Sequence, residues 1–283
     1  MIDSFDVPHL PIGEKLVDGI DYLSDNFDFF FDAISMIIEN MVDFFDSAMS
    51  YFPPVALAAI ILFITWRTAK LKVTAFTAVA LAMIYSMELW DVTIQTVSLI
   101  FVATIIALAL GIPMGILKAR NNRFELVIEP ILDFMQTLPS LSYLIPAVLF
   151  FGIGNPPGVI ATVIFAMPPA IRLTCLGIDQ VSGEMIEVGK AFGATPRQIL
   201  VKIELPLAMP SIMMGINQAI MLACSMVVIA GFIGAGGLGG VIISGLQRYS
   251  LESALEGGMS VVFLAIILDR ITKKIGVRYD HNK

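Results

Sequence analysis

Residues Glu187–Pro206 read EVGKAFGATPRQILVKIELP, a polar stretch set between two apolar runs, Val159–Ala170 and Ser211–Gly234. An insert of this length between such runs needs a local fold of its own. Ser182 can cap a helix carrying Glu184, Glu187 and Lys190, and Gly193 can end that helix in the left-handed conformation. Thr195-Pro196-Arg197-Gln198 then reads as a second start. Threonine is the N-cap, proline takes the first helical position, and glutamine closes a capping box. Pro206 is expected to stop this second helix. The stretch predicts a helical hairpin tied at both ends to apolar segments.

The surroundings decide the fold class. The chain has 283 residues, 57% of them hydrophobic and only 14% charged, with a mean hydropathy of +0.86. A soluble domain carries roughly a quarter charged residues. Lipid offers the backbone no hydrogen-bond partners, so long apolar runs imply helices. The expected fold is therefore an all-α polytopic membrane protein. Cys175 and Cys224 are not spaced like a metal site or a disulfide framework and read as packing residues. The two histidines, His9 and His281, sit near the termini, which argues against a His-based catalytic or zinc centre. No G-x-x-x-x-G-K-[ST] run occurs, so the chain has no phosphate-binding loop with which to hydrolyse ATP.

Charge is unevenly spread. Residues 1–50 hold eleven acids and one base, Lys15, for a net of −10, and the remainder carries +3. In the acidic head Leu16, Ile20, Leu23, Phe27, Phe30, Ile34, Ile37, Met41 and Phe44 recur at steps of three and four. Asp18, Asp21, Asp25, Asp28 and Asp32 keep the same rhythm two positions out of phase. This predicts an amphipathic helix, broken near Glu39-Asn40. It cannot easily cross a bilayer, because each carboxylate at the centre costs about 2.5–3.5 kcal/mol. An interfacial helix on the outer face fits better than a coiled coil, because Phe29-Phe30-Phe31 broadens the apolar face.

Pro53-Pro54 ends the head. Seven spans are then expected: Phe52–Trp66, Val73–Met87, Val92–Leu117, Ile131–Phe151, Val159–Leu173, Ser211–Ile233 and Met259–Asp269. The first and last are short for a core of about 30 Å. The resulting division is a head at 1–51, two peripheral helices at 52–89, a core at 90–272 containing the loop 174–209, and a basic tail at 273–283. Basic residues follow span one (Arg67, Lys70, Lys72), span three (Lys118, Arg120, Arg123), span five (Arg172) and span seven (Arg270, Lys273, Lys274, Arg278). Positive charge marks the cytoplasmic side. The loop and the C-terminus are thus expected inside and the N-terminus outside.

Several motifs have plainer readings than their patterns suggest. Gly234–Gly239 matches G-x-G-x-x-G, but no strand precedes it, so a backbone bend is expected rather than a dinucleotide site. Gly111 and Gly115 make a small-xxx-small pair, and Ser211, Gly215, Ala219 and Ala223 form a small stripe at steps of four. Both mean close helix contact, within the chain or in a dimer. Glu125, Glu129 and Asp133 share a helical face and are expected to pair with Lys118, Arg120 and Arg123. Polar residues deeper in the membrane are few, among them Gln95, Gln136, Asn217, Gln218 and Ser225, and none is ionisable. Energy must come from elsewhere than a buried proton site.

Glu187, Gly193, Ile203, Leu205 and Pro206 resemble the signature loop of ATP-binding-cassette importer permeases: Glu-Ala-Ala, three residues, Gly, nine residues, Ile, one residue, Leu-Pro. Val188-Gly189 replaces the two alanines. Ile131–Phe151, Val163–Arg172 and Asn217–Gly239 extend the likeness, over about Trp90–Ile271, to permeases of osmoprotectant importers for glycine betaine and proline betaine. The acidic head suits that group, whereas Cys224 and Gly231 are slightly unusual in it. The resemblance implies a multi-pass subunit of a prokaryotic cell membrane, contacting lipid and no nucleic acid. Its partners would be a second permease copy, two ATPase subunits that bind ATP and magnesium, and an extracellular binding protein. The chain itself would hold no cofactor and perform no catalysis.

On the same grounds the loop would couple to the ATPase through Glu187, Gly189, Lys190, Phe192, Gly193, Ala194, Thr195, Pro196 and Arg197, with Leu205 and Pro206 closing it. Gln136, Asn217, Ser225 and Met226 are the expected pathway positions. The alternatives are an importer permease for another small solute, such as choline or an amino acid, and a stand-alone secondary transporter. Buried ionisable residues or an inverted repeat would mark the latter, and the sequence shows neither.

Overall fold

The computed structural model describes residues 12–68 and 71–280. His9, His281 and Lys70 lie outside the described residues, as do the side chains of Leu16, Asp21, Asp25 and Arg278. Among the described residues every regular element is helical. In chain order they are α1 (Ile12–Ser50), α2 (Pro54–Thr68), α3 (Leu71–Ser86), α4 (Trp90–Arg120), α5 (Asn122–Thr137), α6 (Leu144–Phe151), α7 (Asn155–Asp179), α8 (Gly183–Ala191), α9 (Pro196–Ile199), α10 (Leu205–Ala230), α11 (Gly237–Gln247) and α12 (Leu251–Asp280).

The core is the triad α4, α7 and α10, whose backbones nearly touch at glycines. A Cβ on Gly115 of α4 would sit 2.7 Å from the Ile171 carbonyl and from Thr174 on α7. One on Gly177 of α7 would sit 2.8 Å from Ser211 Cβ on α10, and one on Gly215 3.2 Å from the Pro169 carbonyl. Small residues allow this approach, and dispersion between close backbones drives association where lipid removes the hydrophobic incentive. The stripe Ser211, Gly215, Ala219 and Ala223 is thus spent within the chain. Ala219 and Ala223 are fully buried beside Ala103, Ala107 and Val227.

Among the described residues four helices are individually long and apolar enough to cross a membrane, and up to six spans result if each of two bent pairs counts as one. Seven are not reached. The expected span Ile131–Phe151 is two helices, α5 and α6, joined through the 3₁₀ turn Ser140–Tyr143 at a bend of 114°. The cause is Leu138-Pro139. A proline pushes its predecessor out of the helical region, and Leu138 takes φ −66°, ψ 134°. Likewise the residues after Asn26 in α1 meet α2 at 96°. The kink in α1 falls at Phe27, with φ −120° and ψ 20°, and the helix runs unbroken through Glu39-Asn40. Its far half packs Ile38 and Val42 into the main core against residues of α4 and α7.

Span seven is longer than its apolar run. α12 begins at Leu251 because Gly257 lies against α11, where a Cβ would stand 3.0 Å from Ile242. Similarly, Pro206 does not stop a helix. α9 passes through a π turn, Leu200–Glu204, straight into α10, where Pro206 occupies the first turn and needs no N–H partner.

Candidate coupling loop

The hairpin between α7 and α10 is built by local grammar. α8 ends in a two-bond Schellman arrangement: Ala194 N–H donates to Gly189 O at 3.0 Å and Gly193 N–H to Lys190 O at 2.9 Å. That closure requires the left-handed turn, which Gly193 supplies with φ +77°. Thr195 and Gln198 then form a reciprocal box. Gln198 Oε1 accepts from Thr195 N–H at 2.7 Å, and Thr195 Oγ1 accepts from Gln198 N–H at 3.4 Å. Ser182 occupies the N-cap of α8, but its hydroxyl makes no capping bond; its carbonyl instead accepts from Met185 N–H at 3.1 Å.

Gly189 is the buried position of α8, and the apolar row beside it is open. The inner face carries Gly189, whose missing side chain lets the helix rest on Ile199 and Ile203. A Cβ there would fall 2.6 Å from Ile203 Cδ1. Outward, Met185, Val188 and Phe192 recur at steps of three and four, all exposed, and Phe192 is 89% exposed. Glu187, Lys190, Pro196 and Arg197 are exposed around them. Among the described residues nothing covers this apolar row with its charged rim. Met185 and Val188 escaped the sequence reading because they look like ordinary core positions of an amphipathic helix.

Two charge clusters attach the surrounding helices. Lys118, near the end of α4, contacts Glu125 and Glu129 of α5, both at 3.1 Å. Arg172 of α7 contacts Glu129 at 2.8 Å and Asp133 at 2.5 Å, and donates to Gln136. The acidic face of α5 is paired as expected, yet by Lys118 and Arg172; Arg120 pairs instead with Glu204 of the π turn. Chain proximity predicted Lys118 correctly and missed Arg172, because α7 crosses α5 where Arg172 projects.

The expected pathway residues do not meet. Gln136 is engaged by Arg172. Asn217 faces α12, with Thr272 donating to its Oδ1 and its amide 3.4 Å from Asp269. Met226 is fully buried beside Tyr143, Leu144, Ala147 and Ala161. Ser225 is exposed, its hydroxyl donating to Met221 O at 3.2 Å. With Met214 and Gln218 it lies on one open face of α10. At the Gly234–Gly240 turn the amides a phosphate would need are occupied. Gly236 N–H bonds Asn155 Oδ1 at 3.1 Å, Gly237 N–H bonds Gln95 Oε1 at 3.2 Å, and Leu238 N–H bonds Thr96 Oγ1 at 2.8 Å. Gln95, read as a deep polar residue, is a cap for α11.

A helical triad packed on glycines, wrapped by peripheral helices and interrupted by a self-capped loop, defines a polytopic transport permease subunit. The chain belongs to the family described as binding-protein-dependent transport system inner membrane component, which it matches over residues 111–280. It is 42% identical to the glycine betaine/proline betaine transport system permease protein ProW of Escherichia coli, over 98% of this chain and 78% of that one. It is 44% identical to the glycine betaine/carnitine transport permease protein GbuB of Listeria monocytogenes, over 94% and 96%. It is 40% identical to the glycine betaine transport system permease protein OpuAB of Bacillus subtilis, over 96% of each. Among solved structures, an inward-facing form of the MetNI methionine ABC transporter aligns with TM-score 0.58 at 21% identity, over 65% of this chain and 92% of that one, a likeness of fold.

Proposed function

We propose that this chain is the membrane-spanning subunit of an ATP-driven importer for glycine betaine or a related quaternary-ammonium solute. It would act as a pair of copies with two ATPase subunits and an external binding protein. The observation that carries the solute class is identity of 40–44% along nearly the whole chain to three permeases named for glycine betaine. The coupling role rests on the loop. Met185, Val188 and Phe192 would seat in the ATPase, with Glu187, Lys190 and Arg197 as the polar rim, while the Gly193 turn and Thr195 box hold the shape. ATP-driven closure of the ATPase pair would push α8, and the spans would switch the pathway between its two openings.

The basic ends of α2, α4 and α12 support an inside location for the loop and C-terminus, and the acidity of the head supports an outer N-terminus. Ser225 is kept as a pathway position, and Gln218, on the same open face of α10, takes the place of Asn217 and Met226 beside it. A quaternary ammonium is typically held by aromatic faces. The Phe31 and Phe150 rings are stacked at 4.8 Å between centroids and Phe151 meets Phe31 edge-on at 5.3 Å, so these rings pack on one another rather than standing apart as the walls of a cage. Selectivity is therefore assigned mainly to the binding protein. The test is uptake of radiolabelled glycine betaine into proteoliposomes containing this chain with and without its partners. Uptake should need ATP and all partners. Transport by the chain alone, or by the full set with no competition from unlabelled betaine, overturns the reading.

A further inference from the structure

Glu204 lies in the π turn and is 4% exposed. A carboxylate this deep needs a cationic partner, and Arg120, the last residue of α4, supplies it from 84 positions earlier in the chain. Among the described residues Arg120 has no second carboxylate within ion-pair distance, and Glu204 no second cation. The π turn places its Leu205 N–H on Leu200 O, five residues back. Such single widened turns inside α-helices recur at functional sites. Directly against this turn, through Ile199 and Ile203, sits the inner face of α8 at Gly189. Two residues before Arg120, Lys118 holds α5 by Glu125 and Glu129. The contacts thus form one continuous route from α8 to the π turn, from Glu204 to Arg120, and along the end of α4 to α5.

We propose that Glu204 and Arg120 are a positioning pair that makes the end of α4, and α5 with it, follow the loop when the ATPase moves. The inference rests on the loop being the docking element. A pushed α8 bears on Ile203, the neighbour of Glu204 in the turn, and separating the pair would leave the buried Glu204 carboxylate without its half-exposed cation. α10 follows the loop through its own backbone. α4 is held to α7 at Gly115, but its last five residues run on past that contact, and this ion pair ties the final one to the turn.

The test uses the complete complex in proteoliposomes, carrying Glu204→Gln, Arg120→Gln or both. Four quantities are read: complex yield, basal ATPase rate, its stimulation by liganded binding protein, and betaine uptake. The single variants should assemble and keep basal hydrolysis, while stimulation and uptake fall about tenfold, within the range typical of coupling between sites. The double variant should be no worse than either single, because the two side chains act as one unit. Unchanged stimulation and uptake overturn the proposal. So do additive losses in the double variant, or parallel loss of yield and basal rate, which would mark a purely structural pair. A Glu187→Lys control separates the two readings. If it also leaves uptake intact, the docking assignment fails; if it abolishes uptake while the 204 and 120 variants do not, only the route proposed here fails.

Discussion

Substitution at Gly189 tests how α8 sits on the π turn. A Cβ at this position meets only the tip of Ile203 at 2.6 Å and Ile199 Cγ1 at 3.6 Å. Alanine therefore asks Ile203 to retreat by about 1 Å, a rotamer adjustment costing ~0.5–1.5 kcal/mol. Against this, alanine in a helix interior gains about 1 kcal/mol over glycine. The two offset, so Gly189→Ala should transport close to normally. Leucine adds three further carbons over Ile199, which is 4% exposed and cannot step aside. Overpacking of this kind costs ~1–3 kcal/mol, most easily relieved by lifting α8 off the turn. At about 1.4 kcal/mol per tenfold, coupled uptake in Gly189→Leu should fall about 5- to 150-fold. The assay is ATP-driven betaine uptake in proteoliposomes, normalised to inserted chain and read beside basal ATPase rate. Leucine behaving as wild type, or alanine as badly as leucine, refutes the docking geometry.

Other perturbations follow from the same contacts. Gly193→Ala has open space around it but must hold φ +77°, at about 1–2 kcal/mol; amide exchange in the loop should rise, and less so in Gly193→Asn. In Gly231→Ala the new Cβ falls 2.4 Å and 2.5 Å from the Gly239 carbonyl carbon and oxygen, which cannot swing away. A loss of about 3 kcal/mol is expected, seen as a lower melting temperature in detergent. Arg172→Gln removes the partner of Glu129 and Asp133, so spin-label distances between α5 and α7 should broaden. Cys175 and Cys224 are both buried, and maleimide labelling should be slow in the native protein and fast in denaturing detergent.

What could be read from sequence was whatever a few neighbouring residues decide. The Thr195–Gln198 box and the left-handed Gly193 depend on contacts within a turn, and both form as their residue types dictate. The break at Leu138-Pro139 was just as local but was hidden by hydropathy, where a single proline barely lowers the average of a long apolar run and backbone sterics do not count. The π turn has no residue signature, so Pro206 looked like a stop. Long-range partners were out of reach: Gln95 meets Gly237 across 142 positions, and Arg172 reaches Asp133 across 39. Charge composition says that carboxylates will find cations. Only the crossing of helices says which.

The glycine contacts among α4, α7 and α10 also constrain how the protein can move. Side chains that interdigitate loosely can slide past one another in small steps, but backbones separated by less than a methyl group have no such play. Gly115, Gly177 and Gly215 rivet the three helices into one block. A passage that opens first to one side and then to the other therefore cannot arise from shear within this block. It must arise where the block meets something less tightly joined, such as charge-tethered α5 or another copy of the same block. The loop on the block then acts as a handle, turning a solid body about a seam at its edge.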